Sequence, residues 1–464
     1  MSKSNATSQN IHQQEAIAAI ATPVGEGGIS VIRISGRDAI EKATTVFRGK
    51  NLSKVASHTV HFGNIVRNDQ KIDEVLATVF RSPRSYTGED TIEISCHGGV
   101  LVTQEVLETI LAVGVRSAEP GEFTQRAFLN GKLELSQAEA VADLIHAKSR
   151  KAVEAAQQQL DGNLGSHVRA FRQQIIDATA MVELELDFIE EDVEFASKPQ
   201  LIKLLNDLNT EIDSLLATYE TGRLVKNGIR TVFAGKPNAG KSTLLNALMG
   251  RERAIVSDIA GTTRDVIDAD WSLDGLLFTL TDTAGLRETV DQIEAEGVRR
   301  SEAAMQEADL IVYMVDLSQP EDTTEIDTIS KLRNRFLGKS VLILGNKIDK
   351  SRAEGNLGAL IDLSISATNG TAIDELKQRM KVAVLQNRDI DTSGLLVTSS
   401  RHRDALEKTR THITDALRAI DQGISGDFIS IDLRGALHEL GTITGEITTE
   451  DLLDSIFSRF CIGK

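Results

Sequence analysis

The stretch GKPNAGKS, Gly235 to Ser242, lies between the apolar run Ile229 to Ala234 and a helical pattern opening at Thr243. A glycine-rich loop with that spacing folds its main-chain N–H groups around phosphate oxygens and aims the following helix N-terminus at them. Lys241 then reaches the β- and γ-phosphates, and the Ser242 hydroxyl ligates Mg²⁺. Asn238, Ala239, Gly240 and Thr243 complete the cradle. Asp282-Thr283-Ala284-Gly285 ends another apolar run, so the Asp282 carboxylate can hold Mg²⁺ through water while the Gly285 N–H senses the γ-phosphate. Asn346-Lys347-Ile348-Asp349 ends a third. A carboxylate there accepts from the two donors on guanine N1 and N2, whereas adenine presents an acceptor at N1 and repels it. Ser366, Ala367 and Thr368 close the base pocket. With Gly261-Thr262-Thr263-Arg264-Asp265, preceded by Ser257-Asp258-Ile259-Ala260, between the loop and Asp282, the motifs stand in the order that GTP-binding proteins use. The nucleotide they imply is GTP.

Catalysis is less ordinary. Where Ras-like enzymes carry a water-orienting glutamine after the DTAG stretch, this chain has Leu286, which has no polar group. Another side chain must orient the water. The acidic residues that follow, Glu288, Asp291, Glu294 and Glu296, can each equally be a solvated helix face. Arg264 and Arg287 can each make a plain salt bridge, so neither is assigned as an arginine finger. Asn238, with main-chain carbonyls from Ser257 to Thr262, offers oxygens that can hold a monovalent cation and supply the missing positive charge.

These loops need strands and helices to hold them. From Ile229 the runs IRTVFAG, LLFTLTD, LIVYMVD, VLILGN and LIDLSISA alternate with helical stretches, the mark of a doubly wound sheet. Between Ile17 and about Asn130, GGISVIRISG, DEVLATVF and TIEISCHGG read as strands of a small α+β domain. In Thr91 to Cys96 the alternation is strict, with Ile92, Ile94 and Cys96 on one face and Glu93 on the other. Ser136 and Glu139 read as a capping box opening a helix that carries Ala138, Val141 and Leu144. Helical spacing runs on to about Arg223 and resumes beyond about Asn387. The economical arrangement is one helical domain with an α/β domain inserted into it.

The chain has 464 residues, which at roughly 150 per domain implies about three domains. It is 41% hydrophobic, 26% charged and 4% aromatic, with a net charge of −17. That balance argues against holding nucleic acid by bulk electrostatics. Two cysteines, Cys96 and Cys461, make no disulfide framework and no zinc pattern. The polar N-terminal stretch has no signal-peptide core and no run of 18 apolar residues occurs, so a cytoplasmic setting without membrane insertion is expected.

The whole set is more specific than its G motifs. ATPxGxGGISVIRISG and PGEFTQRAFLNGKLELSQAEA near the N-terminus, DIAGTTRD and DTAGLRE in the middle and FCIGK at the C-terminal end closely resemble the bacterial tRNA-modifying GTPase family MnmE, also called TrmE. The resemblance covers nearly the whole chain. It implies an N-terminal α+β folate-binding and dimerisation domain (residues 1–130), a discontinuous all-α helical domain (131–227 and 387–464) and an inserted Ras-like P-loop GTPase domain (228–386). It implies potassium ligands Asn238, Ser257, Ile259 and Thr262, magnesium ligands Ser242 and Thr263, and Glu294 as the residue orienting the attacking water. For a 5-formyl- or methylene-tetrahydrofolate it implies Arg33, Glu93, Lys132 and Lys464. The family acts as a homodimer with the FAD-dependent partner MnmG (GidA) on the wobble uridine of certain tRNAs. Where some relatives carry a second proline after ATP, this chain has Val24, a change of loop stiffness.

Two other classes share parts of the pattern. A ribosome-assembly GTPase would carry the same G motifs, but such proteins add an RNA-binding module, and no GxxG loop in a basic context is present. A folate-binding scaffold with a vestigial G domain is opposed by intact Lys241, Ser242, Thr263 and Asp282.

Overall fold

The computed structural model describes residues 15–187, 198–250, 268–282, 294–350, 357–386 and 394–464. Two compact units emerge. One comprises residues 1–142, 160–176 and 434–464, the other 143–159 and 177–433.

The first unit is built on strands β1 (Ile17–Ile20), β2 (Gly27–Ser35), β3 (Phe47–Gly49), β4 (Thr59–Arg67), β5 (Gln70–Phe80), β6 (Thr91–Gly98) and β7 (Arg116–Ser117). They pair in the order β3-β4-β5-β6-β2-β1-β7, antiparallel except for β1 against β7. Helices α1 (Ala39–Val46) and α2 (Val100–Leu111) contribute to the core under one face, where Ile32, Ile34, Ile92, Ile94, Val106 and Ile110 are fully buried. The period-2 alternation sends Arg33 and Glu93 to the other face, directly opposite each other across β2 and β6. Phe62 and Leu76 are cross-strand neighbours on that same open face, and both are exposed.

Helix α3 (Glu122–Leu129) follows, then α4 (Leu135–His146), α5 (Arg150–Leu160), α6 (Asn163–Asp187), α7 (Lys198–Ala217) and α8 (Tyr219–Asn227). The helix expected after Ser136 is present, but its cap is different. Ser136 is buried inside the first turn of α4, and the Gln137 side chain accepts from the Glu134 N–H, so the reciprocal half of the box is made two residues earlier.

The second unit carries β8 (Ile229–Gly235), α9 (Lys241–Met249), β9 (Asp268–Leu273), β10 (Leu276–Asp282), α10 (Glu294–Glu307), β11 (Leu310–Asp316), α11 (Thr323–Arg335), β12 (Ser340–Asn346), β13 (Leu363–Ser364) and α12 (Ile373–Leu385). Strand order is β13-β12-β11-β8-β10-β9, parallel except for the β9–β10 hairpin. Because helices cover both faces, adjacent residues go to opposite cores and the strands read as unbroken apolar runs. Phe233, Phe278, Leu344 and Met380 share one core, while Val232, Ile311, Ile343 and Phe336 share the other. This is the doubly wound sheet that the alternating runs predict.

Beyond it come α13 (Ser400–Asp421), α14 (Gly426–Thr444) and α15 (Glu450–Phe457). Helices α7 and α13, on opposite sides of the sheet domain in sequence, pack together through Leu205, Leu208 and Ile212 facing the stripe Leu406, Ile413 and Ala416. Arg410 pairs with Asp213 across them at 3.0 Å. The helical domain is thus discontinuous and the α/β domain is inserted into it. Among the described residues, no helix is long and apolar enough to cross a membrane.

Candidate functional site

The loop after β8 has the backbone its glycines predict. Gly235 and Gly240 sit at φ +134° and +99°, and Asn238 between them is left-handed at +61°. A Cβ on Gly240 would come within 2.2 Å of Asn346 Nδ2, and one on Gly235 within 2.2 Å of the Met314 carbonyl. Only glycine lets the loop close this tightly. Lys241 opens α9 at 5% exposure, its Nζ donating to the carbonyls of Gly235 at 3.0 Å and Lys236 at 2.9 Å. Those bonds hold the ammonium beneath the loop, where phosphate oxygens can replace the carbonyls. Asn238, Ser242 and Thr243 are exposed beside it and line a cavity of about 770 Å³. A cradle with no room for a Cβ, a buried lysine and an exposed hydroxyl at a helix start fits a nucleotide phosphate with its Mg²⁺.

The base corner is tied to the same loop. Asn346, 2% exposed at the end of β12, donates from Nδ2 to the Ala239 carbonyl at 2.8 Å and accepts at Oδ1 from the Ala367 N–H at 3.0 Å. One amide therefore fastens the phosphate loop to the loop after β13. Ser366 donates to Asp349 Oδ1 at 2.7 Å, orienting the carboxylate, and also accepts from the Asn369 N–H at 3.2 Å. Lys347, itself left-handed at φ +69°, reaches Asp316 Oδ2 at 2.6 Å. Burial alone would raise the Asp316 carboxyl, but hydrogen bonds from Lys347 and Ser318 outweigh it and hold the group below its ordinary value.

A second cluster lies on the open face of the N-terminal sheet. Arg33 Nε donates to Glu93 Oε1 at 2.8 Å, and its Nη1 reaches the Gly463 carbonyl at 3.5 Å. The guanidinium stands 5.2 Å from the Tyr86 ring centre and 5.6 Å from that of Phe123. Aromatic faces favour a cation there. Gly463, at φ +98°, is pressed against the chain at Ile20, where a Cβ would fall 2.2 Å from the carbonyl. Lys464 follows, half-buried. Burial, then the charge of Arg33, lower its ammonium pKa against the opposing pull of Glu93 and Cys461.

The chain is similar to known proteins over nearly its full length. A family model described as the MnmE helical domain matches residues 135–461, and the GTP-binding protein TrmE N-terminus matches 16–132. The tRNA modification GTPase MnmE of Cytophaga hutchinsonii is 46% identical over 454 residues, covering 97% of this chain and 98% of its own. The protein of the same name from Chlorobaculum tepidum is 45% identical over 460 residues, covering 97% of each chain. This chain belongs to the MnmE family of tRNA modification GTPases. Among solved structures, Aquifex aeolicus Era bound to GDP and AlF₄⁻ is similar at 27% identity over 40% of this chain and 66% of that one, with a TM-score of 0.27.

Within this MnmE chain the structure assembles Asn238, Ala239, Gly240, Lys241, Ser242, Asn346, Asp349, Ser366 and Ala367 around one sheet edge. Ser257, Asp258, Ile259, Ala260, Gly261, Thr262, Thr263, Thr283, Ala284 and Gly285 lie outside the described residues. For Asp282, the last residue of β10, and Glu294, the first of α10, only the backbone is described. Of the folate candidates, Arg33, Glu93 and Lys464 come together. Lys132 donates instead to the Pro83 carbonyl at 3.2 Å. Sequence reasoning missed Tyr86 and Phe123, whose rings flank Arg33. Their only signal was position, since Tyr86 lies in a polar loop and Phe123 looks like a core residue.

Proposed function

We propose that this protein is a potassium-activated GTPase that, with the FAD-dependent partner MnmG (GidA), modifies C5 of the wobble uridine of certain tRNAs. The product is an aminomethyl or carboxymethylaminomethyl group, with a 5-formyl- or methylene-tetrahydrofolate bound as the one-carbon source. The supporting observation is the single amide of Asn346, which joins a phosphate loop holding a buried Lys241 to a corner where Ser366 aligns Asp349 for guanine. Family membership over nearly the full length supports tRNA as the substrate. The functional division follows the sequence segments, with residues 1–130 for folate and dimerisation, 131–227 and 387–464 for the helical domain, and 228–386 for GTP. The setting proposed is cytoplasmic.

In this reading Asp349 selects the base, Lys241 moves from the Gly235 and Lys236 carbonyls to the β- and γ-phosphates, and the loop N–H groups hold the phosphates in place. Ser242, Thr263 and, through water, Asp282 would hold Mg²⁺, which spreads the charge developing on the phosphate oxygens. Asn238 with the carbonyls of Ser257, Ile259 and Thr262 would hold K⁺, which would supply further positive charge to the phosphates. Glu294 orients the attacking water. Hydrolysis is then a conformational step, because the γ-phosphate orders segments that its loss releases. Arg33, Glu93, Lys132 and Lys464 would hold the folate, Glu93 pairing with the amino-pyrimidine edge while Tyr86 and Phe123 keep Arg33 in place. Exposed Val60, Phe62 and Leu76 on the open sheet face support a homodimer formed through the first domain.

Turnover of GTP in KCl and in NaCl tests the core of this reading. Turnover should be about 100-fold faster in K⁺, the size of one well-placed electrostatic contact. Equal slow rates in both salts remove the cation. Glu294→Ala should lower kcat by about 100-fold with little change in KM, since water orientation acts in the transition state.

A further inference from the structure

The side chain of Lys236, in the phosphate loop, leaves the loop for a neighbouring helix. Its ammonium turns outward to α11, where it meets Asp322, the N-cap of that helix, and Glu325 Oε2 at 3.1 Å. The two carboxylates differ. Asp322 is substantially exposed and also receives the Thr324 N–H at 2.9 Å and hydroxyl at 2.7 Å. Glu325 is only 10% exposed, and its second oxygen, Oε1, is buried with no hydrogen-bond partner among the described residues. Among the described residues Lys236 is the ion-pair partner of the Glu325 carboxylate, which lies near a buried Tyr313 whose hydroxyl is pushed up to about 12, first by burial and then by the charge of Glu325. The main chain of Lys236 is held as well. Its carbonyl accepts from Lys241, the bond that a phosphate takes over. The same carbonyl also accepts the Ala239 N–H at 3.3 Å, so when Lys241 turns to phosphate the loop's outer limb loses one of its two inner ties and depends more on the outer one.

We infer that Lys236 is a positioning residue for the phosphate-binding loop, its ammonium held by Asp322 and Glu325 so that α11 fixes the limb that Lys241 releases. A limb fixed on the outside keeps Asn238 left-handed and the loop N–H groups converging, so bound nucleotide leaves slowly. The inference rests on reading this loop as the phosphate site. An exposed ion pair alone contributes little. The mostly buried Glu325 makes this contact different, because deleting the lysine leaves a carboxylate that is only 10% exposed without its ion pair.

The test uses the full chain in K⁺ and Mg²⁺, loaded with a fluorescent GDP analogue and chased with unlabelled GDP. Lys236→Met should release nucleotide about fivefold faster and raise KM for GTP more than it changes kcat, with Lys236→Arg returning to within about twofold of the parent. Lys236→Met combined with Glu325→Gln leaves no buried unpaired charge, the remaining Asp322 being exposed and held by Thr324, and should still release about fivefold faster, which separates positioning from misfolding. Release at the parental rate in that double variant overturns the inference. Lys241→Ala controls the underlying reading. If it binds nucleotide like the parent, the loop is not the phosphate site. If it loses nucleotide while the double variant releases normally, only the role of Lys236 fails.

Discussion

At the residue scale, recognition rests on a few side chains held by others. Asp349 is aimed by Ser366, and Asn346 is locked between Ala239 and Ala367, so the base corner is set before a ligand arrives. A carboxylate at position 349 accepts twice. An amide there accepts once and donates once, which suits a base with N1–H and a carbonyl at C2. Asp349→Asn should therefore lower kcat/KM for GTP by about 100-fold and make xanthosine triphosphate the better substrate, as a ratio of the two kcat/KM values will show. Retained preference for GTP would remove Asp349 from base selection. The nucleotide residues were legible in sequence because each motif is contiguous and its chemistry is carried by residue type. The second cluster was not. Arg33, Glu93 and Lys464 are far apart along the chain, each reads alone as a surface residue, and only resemblance to a family joined them before the sheet did.

At the scale of elements, the parallel strands were legible as unbroken apolar runs, and the helical pieces by their spacing. Strand β9 was missed. Its sequence DADWSL is short and half polar, and what marks it is the Asp274-Gly275 turn, with both residues at positive φ, that folds it antiparallel onto β10. The cap of α4 was misplaced because Gln137, rather than Ser136, supplies the bond. The tie between α3 and the N-terminal sheet was also invisible, being made by charges distant in sequence. Glu122, 8% exposed, accepts from Arg116 of β7 and, at 2.8 Å, from Arg126 of its own helix, while Arg126 reaches Glu89 at 3.3 Å. Burial opposes the Glu122 charge, yet the bonds from Arg116, the Glu119 N–H and Arg126 more than compensate and leave its folded pKa below the unfolded one. The stability this gives is present above the unfolded carboxyl pKa and is lost as pH falls through the lower folded value. Glu122→Gln should thus cost about 2–4 kcal/mol near pH 7, since it removes the buried charge that Arg116 and Arg126 share, and the gap to the parent should close in strong acid. Thermal melts from pH 7 downward give the curve. A gap that stays constant with pH would place the loss in packing instead of charge.

At the scale of the molecule, the net charge of −17 takes its meaning from the family. A tRNA presents a phosphate lattice, and a protein that neutralises many of those phosphates by itself shows a steep loss of affinity with salt, because each contact releases counterions. This chain has 51 basic residues against 68 acidic ones, and many of the basic ones are already committed to carboxylates, as Arg116, Arg126, Lys236, Lys347 and Arg410 are. If the proposed flavoprotein partner supplies most of the phosphate contacts, the two proteins divide the work by charge. The chain alone should then bind tRNA weakly, with a log–log salt slope no steeper than about −2. The complex should bind tightly with a slope of about −4 or beyond. Binding isotherms between 50 and 200 mM KCl, taken for the chain alone and with partner, decide it. Tight binding by the chain alone with an equally steep slope would mean that a basic face is concentrated somewhere on this acidic molecule, and that the partner is needed for chemistry and not for grip.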